Sequence, residues 1–277
     1  MNDNPKFADL HLHTSFSDGT YSPEELVSNS LKAGLSAVAV CDHDTVEALP
    51  FCLDIGLEKG LEVIPGIELS AESDSQEIHI LGYFIDYKSK TLNERLQTLN
   101  KIRVERVYKI IAKLKHMGLE LDPQVVFSIS GSGTVGRLHI ARAMHKQGLI
   151  SSVYEAFHKY IGDKGPAYVL GFKFSPEKAI RLIRDSGGVP VLAHPYVIRN
   201  DDLLRELIKK GLMGLEVYYP EHSQSMINFY LDLAQRNNLL VTGGSDCHGT
   251  AKPEVRIGSV KIPYELVEKL KEARDKL

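Results

Sequence analysis

The 277-residue chain has no tryptophan and three cysteines, and its 33 Lys+Arg and 36 Asp+Glu nearly cancel. Each scarcity excludes something. Cys41, Cys52 and Cys247 are odd in number and far apart, which argues against a disulfide framework and for a reducing compartment. No stretch approaches the roughly eighteen apolar residues of a membrane span, so no membrane partner is expected. The opening MNDNPKFADL has neither a basic n-region nor an apolar h-region, and cytoplasm is the expected location. A net charge of −3 lacks the strongly basic footprint of a duplex-binding protein, so no duplex nucleic acid is expected. Without tryptophan, any base stacking falls to Tyr, Phe or His. No feature of the chain marks an oligomeric state.

What is present is unevenly placed. Residues 94–184 carry 16 Lys+Arg against 7 Asp+Glu, while the remainder carries 17 against 29. An acidic body suits cations, and a basic middle segment suits an anionic ligand.

The first part of the chain alternates strand and helix. FADLHLH reads as a strand. SPEELVSNSLKAG reads as a helix with Ser22 at N-cap, Pro23 at N1, Glu25 completing a capping box and Gly34 as its stop. AVAV and EVIPGI are further strands, with a helix around 48–60 between them. From Leu92 the pattern changes to one long amphipathic helix. Leu96, Leu99, Val107, Ile110, Ile111 and Leu114 form its apolar face, with Arg95, Arg103, Arg106, Lys109 and Lys113 expected on the other. Shorter helices around 137–148 and 152–160 follow without obvious strands. Alternation resumes with SPEKAIRLIRDSGG, VPVLAHP, GLEVYY and LLVTGGSDCH. The reading is an α/β fold, a barrel over 1–91 and 175–277 with a mainly helical insertion over 92–174.

The strand ends carry the chemistry. His11 and His13 close the first, one residue apart and so on one face. Asp18 follows in the next loop. Asp42-His43-Asp44 opens from the second strand, Glu68 lies on the third and His79 on the fourth. His194 ends the fifth, Glu216 lies on the sixth, and Asp246 and His248 follow the seventh. In a β/α barrel such ends converge on one mouth. That many charges in one mouth require counter-cations, which bound metals supply. Imidazole and carboxylate without thiolate suit Mn²⁺, Fe²⁺ or Zn²⁺. Cys41 and Cys247 are expected to pack, facing away from their ligand neighbours.

These pieces resemble the PHP (polymerase and histidinol phosphatase) family. The resemblance rests on HLHTSFSDG, CDHD, PGIELSAE with EIHILGY, and the later AHP and GGSDCH, in that order. It implies a distorted seven-stranded (β/α) barrel with three divalent metal ions, Mn²⁺ foremost and Zn²⁺ or Fe²⁺ as alternatives. By position, His11, His13, Glu68 and Asp246 would hold one ion. Glu68 would bridge to a second, held also by His79 and His194, and Asp18, His43 and His248 would hold the third. The activity implied is phosphoester hydrolysis by a metal-bridging hydroxide, with Glu68 bridging and Asp246 or a histidine shuttling a proton.

The insertion carries GSGTVGRLHIARAM. Gly131, Gly133 and Gly136 match G-x-G-x-x-G, but no strand–helix–strand unit surrounds them, which excludes a dinucleotide site. Arg137, near a helix start, suits a phosphate. The segment resembles the insert of a PHP subgroup of nucleoside 3′,5′-bisphosphate phosphatases and 5′-to-3′ exoribonucleases. That resemblance places Arg137, His139 and Lys164 on substrate. The expected partner is a small phosphorylated substrate, a nucleotide or short RNA end. The alternatives are a sugar- or histidinol-phosphate phosphatase of the same fold, or a non-catalytic nucleotide sensor.

Overall fold

Short, β-branched and alanine-rich runs bounded by glycine and polar turns build the strands, and the capped amphipathic runs between them build the helices. The computed structural model describes residues 5–73, 76–171, 173–198 and 201–277. The order is β1 (Phe7–Leu12), α1 (Pro23–Lys32), β2 (Ala37–Val40), α2 (Leu49–Lys59), β3 (Glu62–Ser73) and β4 (Gln76–Tyr83). The helices α3 (Lys90–His116), α4 (Pro123–Ser130), α5 (Arg137–Lys146) and α6 (Val153–Ala156, continued by a wide turn to Ile161) come next. The chain then runs through α7 (Pro176–Asp185), β5 (Val189–Leu192), α8 (Asp201–Lys209), β6 (Gly214–Tyr218) and α9 (Gln224–Arg236). It ends with β7 (Leu240–Gly243), β8 (Ile262–Pro263) and α10 (Glu265–Arg274).

Among the described residues the sheet has eight strands in the order β7-β6-β5-β4-β3-β2-β1-β8. β4 runs antiparallel to both β3 and β5, and β8 antiparallel to β1; the other pairs are parallel. The outer edge of β1 is shared. β8 pairs with Phe7 and Ala8 at its start. At its end, Asp246 N–H donates to the His11 carbonyl (2.9 Å) and His13 N–H to the Cys247 carbonyl (3.1 Å), which closes the ring. Seven strands are thus the ring of the expected barrel. The eighth, two residues long, is too short for any periodicity to reveal.

Small and aliphatic side chains (Ala8, Leu10, Ala37, Ala39, Ile64, Leu81) fill the ring, with Val267 and Leu270 of α10 in the same cluster. A second layer, including Val38, Val40, Ile67, Leu69 and Leu215, packs under the surrounding helices. The helix α3 joins two cores. Leu92, Leu96 and Leu99 enter the barrel's outer layer, while Val107, Ile110, Ile111 and Leu114 enter a separate cluster built with α4, α5 and α6. One expectation fails here. Arg103 and Arg106 are buried on the inner face of α3, not on its solvent face. They continue the 92-96-99 stripe at four- and three-residue steps, the spacing of an apolar seam, and they face the barrel mouth where carboxylates wait. The helix α4 was also not distinguished by its periodicity, although Asp122 caps it and Pro123 starts it.

Ring closure leaves no room beside β1. A Cβ on Gly244 would stand 2.4 Å from the His11 Cβ and backbone nitrogen. Gly244→Ala is expected to lower the melting temperature by about 3–9 °C, from an overpacking cost of about 1–3 kcal/mol. A thermal melt that does not move would show that the seam is looser than described.

Candidate metal centre

The register of β1 slips between Asp9 and Leu12. Leu10 lies in the inner core and Leu12 in the outer layer. This irregularity turns His11 and His13 into the mouth, both fully buried. Because β4 runs antiparallel, its beginning lies at the mouth, and His79 stands opposite Ser70 of β3. The remaining residues come from loops: Asp18 after β1, His43 after β2, His194 after β5, Asp246 and His248 after β7.

Glu68 sits at the centre, 1% exposed. Its Oε1 faces His79 Nδ1 (2.8 Å) and His194 Nε2 (3.1 Å). Its Oε2 faces His11 Nε2 (3.2 Å), His13 Nε2 (3.3 Å) and His43 Nδ1 (3.3 Å). Asp246 Oδ1 reaches His13 Nε2 (3.0 Å), and Asp18 Oδ1 reaches His248 Nε2 (3.2 Å). Donor atoms gather into three overlapping groups, His11–His13–Glu68–Asp246, His13–Asp18–His43–His248 and His43–Glu68–His79, each within 4.8 Å. His194 joins the last through His79, nitrogen to nitrogen at 3.3 Å. All nine expected ligands therefore meet in one place.

The donor set fits divalent cations on an observation of its own. His13 Nδ1, Asp18 Oδ1 and His43 Nδ1 are buried without a well-aligned hydrogen bond, although Asp18 Oδ1 lies close to His248 and His43 Nδ1 close to Glu68. Buried polar atoms without a hydrogen bond are rare in protein interiors, and here three belong to one cluster. Charge agrees. Burial works against ionised Glu68, yet His43, His79 and His11 hold its pKa well below the usual carboxylate range. Burial likewise opposes Asp18 and Asp246, and both are held low, Asp18 by His248 and His43, Asp246 by Lys252 and His248. Burial also opposes charge on His11 and His79. Glu216 and Glu68 overcome it at His11 and raise it well above normal; Glu68 and Glu77 raise His79 to about 10. The surrounding carboxylates therefore favour protonation of these two imidazoles. His13 and His43 are instead lowered, by burial first.

Other residues hold the donors in place, the role that outer partners play at metal sites. Glu216 Oε1 takes His11 Nδ1 at 2.8 Å, and its Oε2 accepts from the His194 backbone at 2.8 Å. His248 Nδ1 is fixed by the Asp246 carbonyl at 2.8 Å. Asp246 Oδ2 accepts from Tyr219 (2.9 Å) and Lys252 (3.0 Å). Asp42 accepts from Thr14 N–H, Thr14 Oγ1 and Ser17 Oγ and so shapes the turn that returns Asp18. His194 and Asp246 have positive φ, 29° and 54°. Such backbone costs about 1–3 kcal/mol per residue and persists only where surroundings enforce it.

The centre opens into a cavity of about 330 Å³ that is also lined by Arg103, Arg106 and Arg137, with Glu77 and Asp163 among them. Arg106 and Arg137 both reach Glu77 Oε2, at 2.7 and 3.1 Å, and Glu77 holds His79 Nε2 at 3.1 Å. Arg103 pairs with Asp44 (2.7 Å) and donates to Ser70 Oγ (2.7 Å). Of the three expected substrate residues, Arg137 lines the cavity from the first turn of α5. His139 and Lys164 do not. His139 is buried, and its Nδ1 accepts the Gly136 N–H at 3.0 Å, capping α5. Lys164 is exposed: a turn closed from Gly165 N–H to the Gly162 carbonyl turns Asp163 inward, onto Arg137 at 2.6 Å, and Lys164 outward. Arg103, Arg106, Glu77, Tyr219 and Lys252 were not singled out as site residues. The arginines had a signal in their seam positions, and Glu77 in sharing a strand face with His79. Cys41 and Cys247 are buried free thiols, as expected of packing residues.

The sequence profile of the PHP domain matches residues 9–167, more than half of the chain. The chain belongs to the PHP family. Among its relatives, the phosphoribosyl 1,2-cyclic phosphate 1,2-diphosphodiesterase of Eggerthella lenta is 28% identical over 87% of this chain and 94% of the relative. The 5′-3′ exoribonuclease Rnm of Salmonella typhimurium is 30% identical over 87% and 84%. The 3′,5′-nucleoside bisphosphate phosphatase of Chromobacterium violaceum is 28% identical over 87% and 86%. A solved structure from Bifidobacterium adolescentis, classed as a metal-dependent phosphoesterase, superposes with a TM-score of 0.88 at 30% identity, covering 96% of both chains. The PHP-type barrel read from sequence is the observed fold.

Metal ligation requires neutral imidazoles, so cation binding works against the protonation that the carboxylates favour on His11 and His79. Mn²⁺ titration by calorimetry in buffers of different ionisation enthalpy is expected to show net proton release, with affinity rising as pH rises. At about a hundred times Kd, Mn²⁺ should raise the melting temperature by about 5–10 °C. Heats independent of buffer, with no thermal shift, would contradict the protonation described.

Proposed function

We propose that this PHP-family protein hydrolyses the bond between phosphorus and the ribose 3′ oxygen of a nucleotide that carries a 5′-phosphate. The observation that carries this reading is one cavity that holds both the Glu68 cluster and three arginines, Arg103, Arg106 and Arg137. The relatives support it chemically. A 3′,5′-bisphosphate phosphatase and a 5′-3′ exonuclease that breaks P–O3′ bonds cleave the same linkage. They differ in whether the chain continues beyond the phosphate.

Three divalent cations fit the donor groups, Mn²⁺ foremost. His11, His13, Glu68 and Asp246 would hold one; Glu68, His79 and His194 a second; Asp18, His43 and His248 a third. Bound there, such cations supply the charge that makes water a nucleophile at neutral pH and neutralises phosphoryl oxygens. The chain does the rest. Glu68 presents one oxygen to each of two histidine sets and fixes their spacing. Asp246, with Oδ2 held by Tyr219 and Lys252, is the carboxylate beside the reacting phosphate. It is our choice for moving the proton to the leaving O3′. Arg137 and Arg106 share Glu77 in the free protein and turn to the substrate's second phosphate. In this arrangement 92–174 is a substrate cap over a barrel of 1–91 and 175–277.

Phosphate release should be measured from adenosine 3′,5′-bisphosphate, adenosine 3′-monophosphate, a phosphoribosyl cyclic phosphate and sugar phosphates, with Mn²⁺ and with chelator. The bisphosphate is expected to lead, and chelator to abolish turnover. Arg137→Ala should lower kcat/KM for the bisphosphate by about 10–100-fold, the worth of a charged hydrogen bond, and leave the 3′-monophosphate nearly unchanged. Preference for a sugar or cyclic phosphate, or equal loss on both nucleotides, would reject the assignment.

A further inference from the structure

A second concavity lies next to the mouth and shares part of its lining with it. This groove, about 1050 Å³, begins at Asp246 and Lys252 and runs along the outer side of α5. Leu138, Phe157, Tyr219, Glu221, Asp246 and Lys252 line both cavities, so the groove adjoins the mouth.

Arg142, His145 and Lys146 line it from one face of α5, three and four residues apart. Among the described residues, none of the three side chains makes a hydrogen bond, a close ion pair or a ring contact, and Asp18 acts on Arg142 only at longer range. Arg142 is the telling one. It is only partly exposed, and a guanidinium drawn out of water is normally paired. Its neighbours are paired: Arg137 with Glu77 and Asp163, Lys159 with Glu155. The facing wall, residues 250–255, offers one carboxylate, Glu254, beside Lys252. Tyr154, also lining the groove, is 74% exposed and stacked on His158 at 5.5 Å, which leaves a ring face for another planar group.

Unpaired cations at helical spacing, a free aromatic face and direct access to the reacting phosphate describe a track for a polyanion with planar side groups. We propose that this groove holds the strand continuing beyond the scissile phosphate of a single-stranded oligonucleotide. Arg142 and Lys146 take its phosphates, and Tyr154 stacks under a base. This inference rests on the reaction proposed above and extends it. Water forms the new P–O bond, the P–O3′ bond breaks, and O3′ departs with a proton in the mouth. The fragment that keeps the phosphate is the one lying in the groove. A nucleoside bisphosphate leaves the groove empty, so the groove selects for chain length without touching the chemistry.

The test uses the Mn²⁺-loaded full chain, wild type and Arg142→Ala/Lys146→Ala, with folding checked by thermal melt. Anisotropy reports binding of a fluorescein-labelled, 5′-phosphorylated hexaribonucleotide with hydrolysis-resistant phosphorothioate linkages. Phosphate release reports turnover of adenosine 3′,5′-bisphosphate. In the double variant, affinity is expected to fall on the order of tenfold. The slope of log K against log salt should shrink by about 1.4, two contacts at about 0.7 each. Bisphosphate kcat/KM should stay within about twofold. Unchanged hexanucleotide affinity and slope overturn the groove while leaving the phosphatase reading intact. An equal loss of bisphosphate turnover also overturns it, because it would place these residues in the mouth. Failure of the wild type to release phosphate from the bisphosphate strikes the underlying reaction instead, and the two failures are told apart by which assay is silent.

Discussion

Glu68 is a buried carboxylate facing five imidazoles, two on one oxygen and three on the other. Almost everything else about the mouth follows from keeping that group ionised out of water. An uncompensated buried charge costs several kcal/mol, so the donors around it must be held close and cannot relax apart. The fold meets this demand by closing the barrel at the site itself. The backbone bonds from Asp246 to His11 and from His13 to Cys247 both complete the ring and set donor positions. Residues separated by most of the chain are thereby neighbours through main-chain geometry. The positive φ of His194 and Asp246 is tolerated because Glu216, Tyr219 and Lys252 hold those two segments.

A second constraint is charge matching between barrel and cap. The basic stretch 94–184 is not a solvated surface alone. Arg103 and Arg106 leave the helix surface for the interior, where Asp44, Ser70 and Glu77 receive them. Such pairs are poor sources of stability when compared with apolar packing, but removing one partner is costly because the other charge remains buried. They therefore lock the cap in one position. Glu77 is shared by His79 and two arginines, so the cap's cations are connected to the metal donors through a single carboxylate.

The sequence exposed the donors better than their surroundings. His11, His13, Glu68 and His194 were legible because each sits at a strand end, and strand ends have a known destination. The capping box of Ser22 and Glu25 was legible for a similar reason, being a local pattern with a local cause. The antiparallel course of β4 was not; it is a property of the hairpin between β3 and β4, and an apolar run looks alike in either direction. Arg103 and Arg106 were misread because a periodic stripe was extended only through its apolar members. A buried cation satisfies the same period when its counter-charge lies elsewhere in the chain, and that counter-charge appears only after folding. The shared edge of β1 left a two-residue strand with no pattern to find. The resemblance names Lys164, whereas the turn between Gly162 and Gly165 brings Asp163 onto Arg137 and leaves Lys164 exposed.

The glycine-rich loop shows how a motif can be rejected for one function and still be explained. A Cβ on Gly133 would lie 2.7 Å from the Phe16 carbonyl oxygen, so only glycine permits the approach. That approach lets Thr134 N–H donate to the Phe16 carbonyl at 2.9 Å and Thr134 Oγ1 donate to the His43 carbonyl at 2.8 Å. The two loops contacted are those that deliver Asp18 and His43. The loop then enters α5, which presents Arg137 to the mouth and Arg142 to the groove. One short segment therefore couples the position of the cap's cations to two donors of the metal centre. Any displacement of this loop would disturb contacts that also position Asp18 and His43, so the helical segment and the donor cluster are structurally coupled in this fold.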